Sequence, residues 1–191
     1  GDDVTATLKD GVLTITGEGE MEDYYDGDDI PWYDDAESIV KVVIEDGVTG
    51  IGNSAFLGCK HLKSIELPSS IKYIYNGAFS GCSAVSEIIY KGTVKEYKQI
   101  FIHSYNEALS TTTVHCEDGD VTYATWKLEN GVLTISGKGE MFYYGWFAAP
   151  WYDEAETIEK VIVEDGVTSI ETAAFIGCDN VQSITIPKTV T

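Results

Sequence analysis

The chain has 191 residues, 43% of them hydrophobic, enough to build one or two packed cores and too apolar for a disordered polymer. Its 12 Lys and Arg stand against 32 Asp and Glu, a formal net charge of −20, which sets it against nucleic acid and anionic membrane surfaces. No apolar run approaches the ~20 residues needed to span a bilayer, and no basic or apolar leader precedes Asp2-Asp3.

In chain order, the first predicted element is a β-hairpin. Leu8-Lys9-Asp10-Gly11-Val12-Leu13-Thr14-Ile15 places the preferred type I′ dipeptide, Asp10-Gly11, between alternating apolar and polar residues. Gly19-Glu20-Met21 follows, then the acidic loop Glu22 to Ile30, then Pro31-Trp32-Tyr33. Asp23, Asp26, Asp28 and Asp29 of that loop are candidate calcium ligands by residue type, since calcium takes about six to eight oxygens. Their spacing does not follow an EF-hand, so the sequence favours a solvated acidic loop without metal over a calcium site.

From Ile39 onward the chain repeats. Ile39-Val42-Ile44 returns as Leu62-Ile65-Leu67 and again as Val85-Ile88-Tyr90, each triplet 23 residues after the last. Ala55-Phe56-Leu57-Gly58-Cys59 returns as Ala78-Phe79-Ser80-Gly81-Cys82 at the same interval. A fixed period of this length predicts a solenoid, one strand and one short helix or turn per coil. Ile65 and Leu67 face the core with Ser64 and Glu66 outside. Pro68 ends the strand for lack of an N–H, and Ile71, Ile74, Ala78 and Phe79 fill the rest of the coil.

Residues 91–117 break the period and read as a C-terminal cap. Thr93-Val94-Lys95-Glu96 is a capping-box pattern predicting a helix through Ile100. Asn106 to Leu109 reads as a second short helix, and Thr111 to His115 as a closing strand.

The theme then starts over. Leu128 to Gly137 matches Leu8 to Gly17 at an offset of 120, with Asn130-Gly131 at the turn, and Gly139-Glu140-Met141 follows in step. The offset is 119 from Pro150-Trp151-Tyr152 onward, through Ile158-Val161-Val163, Ala174-Phe175-Ile176-Gly177-Cys178 and Val181-Ile184-Ile186. Two domains follow: 1–117, a hairpin cap with repeat coils and a C-terminal cap, and 118–191, a second hairpin cap with an incomplete array. The edge after the last coil is a candidate surface for self-association.

The pattern Leu62-x-x-Ile65-x-Leu67-Pro68-x-x-Ile71-x-x-Ile74-x-x-x-Ala78-Phe79-x-x-Cys82 resembles the BspA-like leucine-rich repeat family of bacterial surface and secreted proteins. It recurs from Ile39 to Cys59 and from Ile158 to Cys178. The chain departs from it at Tyr75 and Glu171, where the family usually has Gly. The resemblance implies a leucine-rich-repeat solenoid, secretion or cell-surface exposure, and non-catalytic adhesion or binding to a protein or glycan, without cofactors or membrane insertion. A structural spacer that self-associates is the alternative.

Features shared by both units read as structural, and Trp32 and Trp151 fall in that class. Features found in one unit are free to serve function. The candidate contact residues are therefore Phe142, Tyr143, Tyr144, Trp146 and Phe147, five aromatics within six residues of the second loop. Cys59, Cys82 and Cys178 share one repeat position and read as small buried hydrophobes, with a Cys59–Cys82 disulfide open as an alternative. His115 and Cys116 are neighbours on a strand and point to opposite faces, so they make no nucleophile–base pair. The chain holds no Gly-rich phosphate loop, HExxH or GxSxG.

Overall fold

The computed structural model describes residues 3–25, 27–144 and 149–191, and folds as two compact units, Gly1–Val121 and Thr122–Thr191. In the first, the strands in chain order are β1 (Val4–Lys9), β2 (Val12–Gly17), β3 (Gly19–Glu20), β4 (Lys41–Ile44), β5 (Val48–Ile51), β6 (Ser64–Pro68), β7 (Tyr73–Ile74) and β8 (Glu87–Lys91). After them come helix α1 (Val94–Tyr97), β9 (Phe101–Ile102), helix α2 (Glu107–Thr111), β10 (Val114–Cys116) and β11 (Gly119–Val121). The second unit has β12 (Thr125–Glu129), β13 (Val132–Ser136), β14 (Lys160–Val163) and β15 (Ser183–Thr185).

Each hairpin turns where the sequence places it. Asp10 and Gly11 have φ of 50° and 77°, Asn130 and Gly131 of 50° and 74°, the left-handed pair that a type I′ turn demands. β1 and β12 lie antiparallel to β2 and β13, which then pair in parallel with the repeat strands.

The repeat strands stack one period apart. Val42 pairs with Ile65, and Ile65 with Ile88, in a sheet ordered β1-β2-β4-β6-β8-β10-β11 among the described residues. Every second residue of β4, β6 and β8 is buried, as alternation requires. A second sheet, β3-β5-β7-β9, covers the other side of the first unit's core. Between them runs a column of aromatic rings. Trp32 stacks on Phe56 at 5.9 Å and Phe56 on Phe79 at 5.1 Å, with interplanar angles of 25° and 17°.

Trp32 and Trp151 are both buried. Each indole Nε1 donates to the backbone carbonyl of the recurring alanine in the first repeat of its unit, Ala55 or Ala174, at 2.9 Å. This one bond ties the segment after each hairpin to the coil that follows it.

The backs of the coils are turns rather than helices. Gly58, Gly81 and Gly177 have φ of 75°, 77° and 79°, which a helix does not admit. The backbone there bonds to the next coil instead: Phe56 N–H to Ala78 O at 2.7 Å and Gly58 N–H to Ser80 O at 2.9 Å. α1 starts at the capping box, in which Thr93 N–H donates to Glu96 Oε2 at 2.8 Å and Glu96 N–H to Thr93 Oγ1 at 3.3 Å. It ends at Tyr97, short of Ile100, because Gln99 and Ile100 switch to i−3 bonds. The first unit runs on six residues beyond His115, to Val121, because Val121 on β11 pairs with Val114 and is itself buried.

Candidate functional site

The aromatic loop of the second unit divides its residues between core and surface. Phe142, at 4% exposure, packs edge-on against Tyr123 at 5.0 Å and against Tyr144 at 5.3 Å. Tyr144 in turn meets Trp151 at 5.8 Å. Tyr143, between them in sequence, points the other way and is 37% exposed. Trp146 and Phe147 lie outside the described residues.

In the acidic loop of the first unit, Tyr24 is buried and meets Trp32 edge-on at 5.9 Å. Asp23 Oδ1 accepts the Asn53 backbone N–H at 2.7 Å, so it has a structural partner. Asp28 and Asp29 fall in a 3-10 helix, Gly27–Asp29, and Asp26 lies outside the described residues. Among the described residues, no three His, Cys, Asp or Glu gather where a metal ion would sit.

The structure brings together a set of residues that the sequence reading left unmarked. Tyr73 on β7 lies opposite Phe101 on β9, and both face outward, at 42% and 52% exposure. Two residues on, Tyr75 and His103 share the same face. Tyr73 and Tyr75 rings stack at 5.8 Å, Tyr75 and His103 sit 5.4 Å apart, and His103 meets Phe101 edge-on at 4.7 Å. The result is a continuous row of four rings outside the core. Its floor is fixed from below: buried Asn106 donates from Nδ2 to the carbonyls of Tyr75 at 3.0 Å and His103 at 2.9 Å, and accepts the Phe79 N–H at Oδ1 at 3.0 Å. From the side, Tyr75 Oη donates to Glu20 Oε2 at 3.0 Å.

The outer face of the longer sheet is charged instead. Glu66 pairs with Lys41 on the strand before it, and with Lys91 at 3.4 Å on the strand after it. Hydrogen bonding from Lys41, reinforced by both cations, holds the Glu66 carboxyl below the ordinary glutamate range. A carboxyl with a depressed folded-state value stabilises the fold above the ordinary range and loses that contribution as pH falls through the folded value. Glu66→Gln is therefore expected to flatten the acid limb of the stability–pH curve while leaving its neutral plateau lower; urea midpoints across that limb measure it, and parallel curves would dismiss the coupling.

The thiols are poor nucleophiles. Burial pushes Cys59 up to about 11 and Cys82 to about 12, and Cys82 Sγ–H donates to the Phe56 carbonyl at 3.2 Å. Cys59 and Cys82 are free and unbridged. Cys116 is also pushed up to about 11, by burial first and then by Asp118 and Asp120. His115 Nδ1 lies 2.9 Å from Asp120 Oδ1 across the β10–β11 hairpin, away from any thiol partnership. Among the described residues, no helix is long and apolar enough to cross a membrane.

No curated protein sequence matches the chain. The chain aligns with three solved structures. A leucine-rich repeat protein from Eubacterium ventriosum is 22% identical, aligned over 100% of this chain and 59% of its own, with a TM-score of 0.45. The chain thus spans under two thirds of that relative's length. The leucine-rich repeat protein of T. pallidum is 16% identical over 98% of this chain and 81% of its own, with a TM-score of 0.36. The pneumococcal vaccine antigen PcpA is 16% identical over 100% of this chain and 70% of its own, with a TM-score of 0.28. The model of the BspA-type leucine-rich repeat region matches in six copies over residues 32–123 and 150–191, and the chain belongs to that family.

Proposed function

We propose that this chain is a secreted or cell-surface adhesion module, two short curved solenoids that bind a protein or glycan without catalysis. The observation that carries the reading is the row Tyr73, Tyr75, His103 and Phe101. Contiguous exposed rings are uncommon on soluble surfaces and mark contact sites, because aromatic side chains bring large apolar area at little entropic cost. Here the row is held rigid by Asn106 from below and by Glu20 from the side, so little order is lost on binding. Tyr143, Trp146 and Phe147 form a second contact in this reading.

The test is a binding screen of extracellular proteins and glycans with the intact chain, a Tyr73→Ala/Phe101→Ala variant and a Trp146→Ala/Phe147→Ala variant. Loss of a hit in the first variant, with its fold retained, is the expected result. A hit retained by both folded variants overturns the reading.

A further inference from the structure

The two units carry the same site in two states. Beneath β1 of the first unit lies a cavity of about 340 Å³, lined by Ala6, Ile15, Met21, Tyr24 and Trp32, with Glu22 at its mouth. The second unit has the equivalent lining at the 120 and 119 offsets, Ile135, Met141, Tyr144 and Trp151, and among the described residues that lining encloses almost no free space. Two replacements account for the difference. Ala6, paired with Ile15, becomes Trp126, paired with Ile135. Its indole lies over Trp151 at 5.6 Å, edge to face, with 37% of the residue's surface still exposed to solvent. Glu22 becomes Phe142, which is buried beside it.

The second unit therefore displays what the first unit's cavity accommodates: a planar group the size of an indole, set against the Trp at its floor. The first unit lacks that group in its own chain and offers in its place an open mouth with a carboxylate. That carboxylate lies near enough to Tyr24 to raise its phenol, an effect second to burial. The volume falls within the range of small-ligand pockets, and the mix of apolar walls with one charged group at the rim is their usual make-up. The rim charge selects the ligand's sign. Glu22 and the exposed Asp23 beside it repel anions, and the net charge of −20 adds to this.

We propose that the cavity over Trp32 is a binding site for a small aromatic amine, its ring taking the place that Trp126 holds in the second unit and its ammonium group pairing with Glu22. No covalent step is involved. The site is separate from the Tyr73–Phe101 row and stands whether or not that row binds a protein or glycan.

Titration of the whole chain with tryptamine, indole and indole-3-acetate tests it, followed by calorimetry. Tryptamine is expected to saturate one site, about tenfold tighter than indole, the gain of one charge-assisted hydrogen bond, with indole-3-acetate weakest. Ala6→Trp closes the cavity with the residue the second unit already uses, and is expected to abolish tryptamine binding. Glu22→Gln is expected to bring tryptamine and indole within about threefold of each other, about the residual of a neutral hydrogen bond. Trp126→Ala opens the equivalent space in the second unit and is expected to gain an indole site, read as a rise in thermal midpoint with added indole. Absence of saturable tryptamine binding by the intact chain overturns the proposal. So does unchanged binding by a folded Ala6→Trp, or a Trp126→Ala variant that indole leaves unaltered.

Discussion

Trp151→Ala is expected to unfold the second unit. The indole is buried where three contributions meet: Trp126 at 5.6 Å, Tyr144 at 5.8 Å and the Ala174 carbonyl at 2.9 Å. Truncating a buried Trp costs about 3–5 kcal/mol through lost transfer energy and the cavity left behind. The Ala174 carbonyl also loses its partner. A core of this size rarely supplies more than about 3–5 kcal/mol in total, so the loss matches the whole stability of Thr122–Thr191. Hydrogen exchange gives the readout: protection of the amides in β13 and β14 should fall to that of an open chain. Trp151→Phe keeps ring contact and loses the hydrogen bond, so it should cost about 1–3 kcal/mol and leave a folded unit. Native protection in Trp151→Ala would mean that the indole is not the keystone of this core.

Asn106→Ala is expected to destabilise the first unit by about 3 kcal/mol, near the top of the range for one buried polar residue. The amide satisfies the Phe79 N–H and the Tyr75 and His103 carbonyls together, and its removal leaves all three without that partner. Asn106→Asp should be nearly as damaging. A carboxylate has no donor for the two carbonyls and adds a buried charge. Urea unfolding would show a lower midpoint at unchanged slope. The same variants should weaken any ligand of the Tyr73–Phe101 row, since Tyr75 and His103 lose their anchor. A cost below about 0.5 kcal/mol, the scale of neutral surface changes, would show that water substitutes for the amide.

Asn106 also shows where reading a sequence stops. Asn before Glu107 looks like the start of a helix, and a helix does begin at Glu107. Yet the side chain makes no capping bond. It turns inward to backbone groups 27 and 31 residues earlier. Local propensity fixes where the helix starts, and the tertiary setting decides what the side chain does there. The coil backs differ in the same way: Ala55-Phe56 suits a short helix, but the Phe56 and Gly58 N–H groups donate to the next coil, and the bonds within the segment are i−3 turns such as Leu57 N–H to Ser54 O.

The aromatic row was hidden for a related reason. Tyr73 and Phe101 are 28 residues apart, not 23, because the segment after β8 inserts α1 before returning to the second sheet. A period of 23 thus cannot align them. The run at 142–147 was conspicuous because its aromatics are adjacent. Adjacency on an extended segment alternates sides, and so Phe142 and Tyr144 enter the core while Tyr143 faces out.

The sequence by itself determined the repeat, the two hairpin turns, the one-period spacing of the strands, the family and the structural role of Trp32 and Trp151. Each of these follows from periodicity or from a local backbone demand, which one strand or one turn already expresses. Only the tertiary structure decided which aromatics form a surface, which polar residue holds that surface in place, and that Ala6 leaves open the space Trp126 fills. Those outcomes depend on side chains from segments that meet only when the coils stack, and on volume left over after they do.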